Sequence, residues 1–213
     1  MFGAESGHRR FRVALVAGWI CLAGSVQAGS QQYEPLAASV QAALHAAVSD
    51  HASPEPLFPS EQEKANWLGT MSGKLARYVD DASVRLELLK TVHYEATRAG
   101  LDPQLVLSVI QVESAFRKYA VSKASARGYM QVMPFWAKLI GDGDDNLFHV
   151  RTNLRYGCTI LRHYLDIEKG NLFRALGRYN GSLGKAHYPN LVLRAWRRNW
   201  TLEGESVAQS DSP

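Results

Sequence analysis

The pattern of apolar and polar positions changes character along the chain. Residues 29–59 mix Ala, Ser, Gln and Pro without a sustained period and end in "SPEPLFPS", whose prolines exclude a continuous helix. This stretch reads as a linker with at most a weak helix over Leu36 to Val48. From Ser60 the spacing becomes helical. "SEQE" reads as a capping-box start, and Trp67, Leu68, Met71, Leu75, Tyr78 and Val79 recur at three-and-four spacing. A second helix is predicted over 84–99, stopped by Gly100, and Asp102-Pro103 supplies an N-cap and a first-turn proline for a third running to Ser114. "KYAVSKASARGYMQV" is too broken by small residues and glycine for a long helix. Pro134 opens a short helix that Gly141 closes, and "GDGDDN" is a surface loop by composition. Asn153 is assigned as the cap of a helix over 154–168, with Leu154, Cys158, Leu161 and Leu165 on one stripe, and 172–179 and 191–200 are shorter helical candidates. Strand signals are nearly absent. The fold class predicted is mainly α, a compact helical domain over 60–200 whose first part, 60–84, is a helical extension. The tail 201–213 is polar and acidic and is read as disordered.

The N-terminus changes this picture by removing part of the chain. Arg9, Arg10 and Arg12 precede the apolar run Val13 to Val26, and Val26-Gln27-Ala28 offers small residues at a cleavage site, so residues 1–28 read as a signal peptide for export to the periplasm. The run is shorter than the roughly 20 residues of a spanning helix, and an uncleaved membrane anchor is the lesser alternative. Cleavage removes three arginines and Glu5, which lowers the formal net charge from +4 to +2. Net charge therefore gives little support to a polyanion partner. Cys158 alone remains, which excludes an internal disulfide and marks a small buried hydrophobe.

Candidate chemistry enters with one carboxylate. On a wheel of about 100° per residue from Pro103, Leu105, Val106, Val109, Ile110 and Val112 fall on one arc, while Gln104, Ser108, Gln111 and Ser114 cluster on the other. Glu113 lands inside the apolar arc, with Val106, Val109 and Ile110 as same-face neighbours. Either the helix frays by Glu113, or the residue pairs with Arg117 or Arg127, or it lines a cleft where poor solvation keeps it protonated. The second environment suits protonation of a glycosidic oxygen, as the raised glutamate of lysozyme illustrates.

At this point the motifs resemble the soluble lytic transglycosylase catalytic (SLT) domain, a lysozyme-like family that cleaves bacterial peptidoglycan. "VESAF" is similar to its Glu-Ser motif, "AVSKASARGYMQVMP" to its small-residue segment ending in Gly-Leu-Met-Gln, and "ALGRYNGSLG" to its Tyr-Asn-Gly motif, with "TNLRYGCTILRHYL" matching the helix between them. The likeness covers about residues 85 to 195. It implies a lysozyme-like helical domain with at most a small hairpin near the cleft. It also implies Glu113 as the single catalytic acid and base, and Ser122, Tyr129, Met130, Gln131, Met133, Tyr179 and Asn180 as substrate-binding residues. Tyr129, Met130 and Met133 would offer apolar surface to sugar faces. Tyr129 stands where leucine is usual, Ser125 where glycine is common, and His149-Val150 where an Asp-Pro pair is usual, departures that bear on cleft shape. The implied partner is the peptidoglycan glycan strand, and no cofactor or metal is implied.

Two other readings compete. A hydrolytic muramidase needs a second carboxylate, for which Asp142, Asp144 and Asp145 are the candidates. The same loop alternates Asp142, Asp144 and Asn146 as a calcium loop would, but Leu147 and Asn153 occupy the positions that need glycine and glutamate. A non-catalytic peptidoglycan-binding envelope protein would keep the fold without needing Glu113. Nucleic-acid binding through "RAWRRNW" is set aside in favour of a terminal helix with arginines outward and tryptophans inward.

Overall fold

The computed structural model describes residues 31–49, 56 and 58–202; the expected signal peptide and most of the expected tail lie outside them. Among the described residues the regular structure is helical: α1 (Ala38–Val48), α2 (Glu61–Leu75), α3 (Ala82–Arg98), α4 (Pro103–Ser114), α5 (Pro134–Ile140), α6 (Val150–Ile167), α7 (Leu172–Asn180) and α8 (His187–Ala195), with α8 continued by a π-helical turn, Trp196–Trp200. The domain is mainly α and lysozyme-like, and the expected small hairpin reduces to two isolated antiparallel bridges, Val121 with Arg127 and Arg127 with Val132.

Helix ends follow local chemistry. Ser60 accepts from Glu63 N–H at the start of α2, Asp81 from Ser83 and Val84 at the start of α3, and Asp102 from Gln104 and Leu105 at the start of α4. Each cap satisfies donors that a helix leaves unmet in its first turn. Pro103 and Pro134 sit where a missing N–H costs nothing, and Gly100 and Gly181 take positive φ after α3 and α7.

The element at the centre is α4, which packs against α3, α8 and the π-helical turn. Leu105, Val106, Leu107, Val109 and Ile110 are buried, and so are Gln104, Ser108 and Ser114. The polar side is therefore not a solvent face. Ser108 and Ser114 return their hydroxyls to the carbonyls of Gln104 and Ile110, while Gln104 accepts from Trp67 Nε1 and Gln111 from Trp200 Nε1. Such a helix is enclosed on all sides, and its polar groups persist because each finds a partner.

α3 and α6 are locked by charge as well as packing. Glu95, wholly buried, accepts from Arg155 Nη2 at 2.9 Å and from Arg98 Nε at 3.0 Å. One sequence expectation differs from the structure here. Asn153 is not an N-cap: α6 starts a turn earlier at His149-Val150, and Asn153 points inward from its first turn. The helix expected at Leu36 to Val48 within the linker stretch is present as α1, which packs against α5 and α6 through Leu44 and Val48, with Gln41 and His45 bonded to the carbonyls of Leu139 and Ile140. A three-turn helix with apolar positions four apart has enough surface to dock once a neighbour is present.

Candidate active site

Glu113 lies in the last turn of α4 and is 4% exposed. Directly beyond it the chain turns through two consecutive left-handed residues, Ala115 (φ 49°) and Phe116 (φ 60°), the latter buried against Tyr78 and Trp200. Non-glycine residues rarely adopt this conformation, and its persistence here is the cost of ending α4 sharply behind the carboxyl. Glu113 stays on its helix, and the partner found for it is Tyr188 rather than Arg117 or Arg127. Its Oε1 accepts from the Tyr188 hydroxyl at 2.6 Å, inside the protein.

Two tyrosines surround the carboxyl. Burial, and then the nearby Glu113 charge and the bond to it, push the Tyr188 hydroxyl well above its ordinary range. Tyr179, fully buried on α7, is raised for the same leading reasons, burial first and Glu113 second. Both remain donors over the ordinary pH range. The Tyr179 hydroxyl donates to the Met130 carbonyl at 2.8 Å, which ties α7 to the loop between α4 and α5.

That loop is held from the other side by Asn153. Its Oδ1 accepts from Met130 N–H, and its Nδ2 donates to the carbonyls of Arg127 and Leu147, each at 2.8 Å. Gln131, at positive φ and 1% exposed, donates through Nε2 to the carbonyls of Ala120 and Gly128. Ser122 accepts from Ala126 N–H within the same loop. Met130 is wholly enclosed and lies against Gly157, where an added Cβ would fall 2.4 Å from Met130 Sδ. Tyr129 is 3% exposed and Met133 half-buried, and Met133 is the residue that precedes α5. Asn180 is buried at the end of α7.

The structure thus brings Glu113 and Tyr179 together and connects Tyr179 to Met130, whereas Ser122 and Gln131 spend their polar atoms on the loop itself. Sequence reasoning missed Tyr188. The signal available was Pro189 in "HYPNL": a proline belongs in a first turn, so α8 starts before Leu191 and includes Tyr188. Among the described residues no other carboxylate appears among the charges that raise Tyr179 or Tyr188. Asp145 is engaged by the Tyr156 hydroxyl at 2.5 Å, and Asp142 and Asp144 are exposed. No group of three or more His, Cys, Asp or Glu among those residues is arranged to hold a metal ion.

One buried carboxyl at the end of a central helix thus lies beside two tyrosines, one of which is tied to a cross-braced loop. Residues 90–190 match the transglycosylase SLT domain. Among relatives, it is 33% identical over 116 residues to a transglycosylase of Enterobacteria phage PRD1, an alignment covering 51% of this chain and 43% of the phage protein. It is 50% identical over 48 residues to the membrane-bound lytic murein transglycosylase C of Actinobacillus pleuropneumoniae serotype 5b (strain L20), covering 22% of this chain and 13% of that one. The chain spans less than half the length of these relatives.

Proposed function

We propose that this protein is an exported lytic transglycosylase that cleaves the β-1,4 bond between N-acetylmuramic acid and N-acetylglucosamine in peptidoglycan and leaves 1,6-anhydro ends. The observation that carries this reading is the Glu113 carboxyl, buried and bonded to Tyr188. In this reading Glu113 first gives its proton to the glycosidic oxygen as the bond to C1 breaks. The substrate's acetamido group shares the positive charge at C1. The carboxylate left behind then takes the proton of the muramoyl C6 hydroxyl, whose oxygen closes on C1, and the enzyme ends the cycle protonated. Holding that hydroxyl in place gives it an effective concentration that water does not match. Tyr188 supports the carboxylate between the two steps, and Tyr179 with Asn153 keeps the Met130 backbone fixed. A two-carboxylate hydrolysis fits less well, because Asp145 is engaged by Tyr156 and Asp142 and Asp144 are exposed in a loop.

A periplasmic location follows from the expected signal peptide, and the name of the murein transglycosylase C relative places that protein at a membrane. Among the described residues no helix is long and apolar enough to cross a membrane.

The test is to incubate the protein, expressed from the full chain and purified after export, with purified peptidoglycan and to weigh the soluble fragments. Anhydro-muramoyl products, lighter by one water than reducing ends, are expected from the wild type and absent with Glu113→Gln. Reducing ends would assign a muramidase instead, and glycan binding without release by either form would leave a binding protein.

A further inference from the structure

Residues 31–37, the irregular segment before α1, are joined to the groups just described. Gln31 is 3% exposed, and its carboxamide bridges the active-site loop: Oε1 accepts from Met133 N–H at 3.3 Å, and Nε2 donates to the Gln131 carbonyl at 3.4 Å. Further along, the Tyr33 ring meets Phe135 edge-on at 5.7 Å and Glu34 pairs with Arg178 at 3.0 Å, after which α1 docks on α5 and α6.

We propose that residues 31–37 form an autoinhibitory strap, with the Gln31 carboxamide seated where a substrate acetamido group binds. This rests on the function proposed above. The chemistry is the match between the two groups. A primary carboxamide and an N-acetyl group each present one carbonyl acceptor and at least one N–H donor on adjacent atoms, and Met133 N–H with Gln131 C=O is a matching donor and acceptor pair. Gln31 is bonded to the loop that holds the candidate site, at Gln131 and Met133, and the Met130 carbonyl of that loop accepts from Tyr179.

The fastening is weak enough to open. Both Gln31 bonds are long, Tyr33 is 62% exposed, and the Glu34 side chain that pairs with Arg178 is half exposed, a class of ion pair that solvent screens. A glycan with several acetamido groups outcompetes such a strap. Its apparent affinity is reduced by the fraction of molecules in which the strap is closed.

The test titrates wild type, Gln31→Ala and Glu34→Ala, each expressed from the full chain and purified after export, with an oligomer of N-acetylglucosamine. The rate of fragment release from peptidoglycan is followed in parallel. Gln31→Ala is expected to bind the oligomer about tenfold tighter, the equivalent of losing two weak competing bonds, and Glu34→Ala about threefold tighter. Release should speed up through a lower KM with kcat unchanged, and amide exchange at residues 32–37 of the wild type should rise when the oligomer is added. Unchanged or weaker binding in both variants overturns the strap, as does failure of all three forms to bind. A merely structural brace is recognised by a lower melting temperature in the variants with affinity unmoved, and this also overturns it. If no form cleaves peptidoglycan but the affinity differences hold, the strap stands and the proposed function falls. Cleavage that depends on Glu113 with equal affinities retires only the strap.

Discussion

Tyr188, in the first turn of α8, donates its hydroxyl to Glu113 Oε1 at 2.6 Å across 75 positions of sequence, and both groups are buried. A buried carboxylate is costly unless donors replace the water it loses, and Tyr188 is such a donor. Because burial and the Glu113 charge hold its hydroxyl well above the ordinary tyrosine range, it stays protonated as the carboxyl changes state. Tyr188→Phe keeps the ring and removes only the donor. A hydrogen bond to a charged group is worth about 1.5–3 kcal/mol, so kcat for fragment release should fall about 10- to 100-fold with KM little changed. An equal rise in KM at constant kcat would show that Tyr188 holds substrate rather than the carboxyl.

Asn153 makes three bonds to main-chain groups of two loops, and a carboxylate cannot make the two that need donors. Asn153→Asp sets a buried charge against two carbonyl oxygens. Each unsatisfied buried group costs about 1–3 kcal/mol, so thermal unfolding should report a loss of about 3 kcal/mol or more. The effect should reach activity as well, because Met130 is held between Asn153 and Tyr179.

Much of the fold was legible because its boundaries are local chemistry. Gly100, Asp102-Pro103, Pro134 and Gly141 sit at the ends they signal, since a cap or a fixed φ acts over a few residues. The helical wheel put Glu113 on the buried side of α4, and it is buried. Yet Gln104, Ser108 and Ser114, on the wheel's polar side, are buried too, because α4 has α3, α8 and the π-helical turn around it. Burial alone therefore did not distinguish Glu113; its partner does. Pro189 put Tyr188 on a helix, but neither its bond to Glu113 nor the inward role of Asn153 was readable, since these bonds reach partners at separations that no periodicity encodes. The same holds for Gln31, whose contacts lie 100 and 102 positions away.

His93 gives the stability a pH dependence unrelated to catalysis. It is buried on α3, stacked on Phe58 at 3.9 Å and met edge-on by Trp67, and burial lowers its pKa from 6.5 to about 4. A depressed value means that the unfolded chain takes up the proton first as pH falls. The folded state keeps its full stability above about pH 6.5 and loses it progressively toward pH 4. The imidazole is not wholly cut off from solvent, so the loss should be about 2 kcal/mol, below the full linkage value. In His93→Phe, whose ring does not titrate, the melting temperature should fall less between pH 7 and pH 4.5 than in the wild type. Parallel curves for the two proteins would place the acid sensitivity elsewhere.

Ala115 offers the reverse case, a substitution expected to stabilise. It caps α4 in the left-handed region (φ 49°, ψ 41°), with its N–H bonded to the Gln111 carbonyl. Glycine adopts this conformation without the Cβ clash, which costs other residues about 1–2 kcal/mol, although its freer unfolded chain returns part of that gain. The side chain is exposed, so Ala115→Gly removes no packing. The net expectation is about 0.5–1 kcal/mol of added stability, a rise of roughly 1–4 °C in melting temperature for a domain of this size. Ala115→Val should move the other way, because a β-branched side chain tolerates positive φ least. If Ala115→Gly stabilises but slows fragment release, the left-handed turn does more than end the helix: it holds Glu113 and Phe116 apart at a fixed angle, and the lost stiffness appears in the rate.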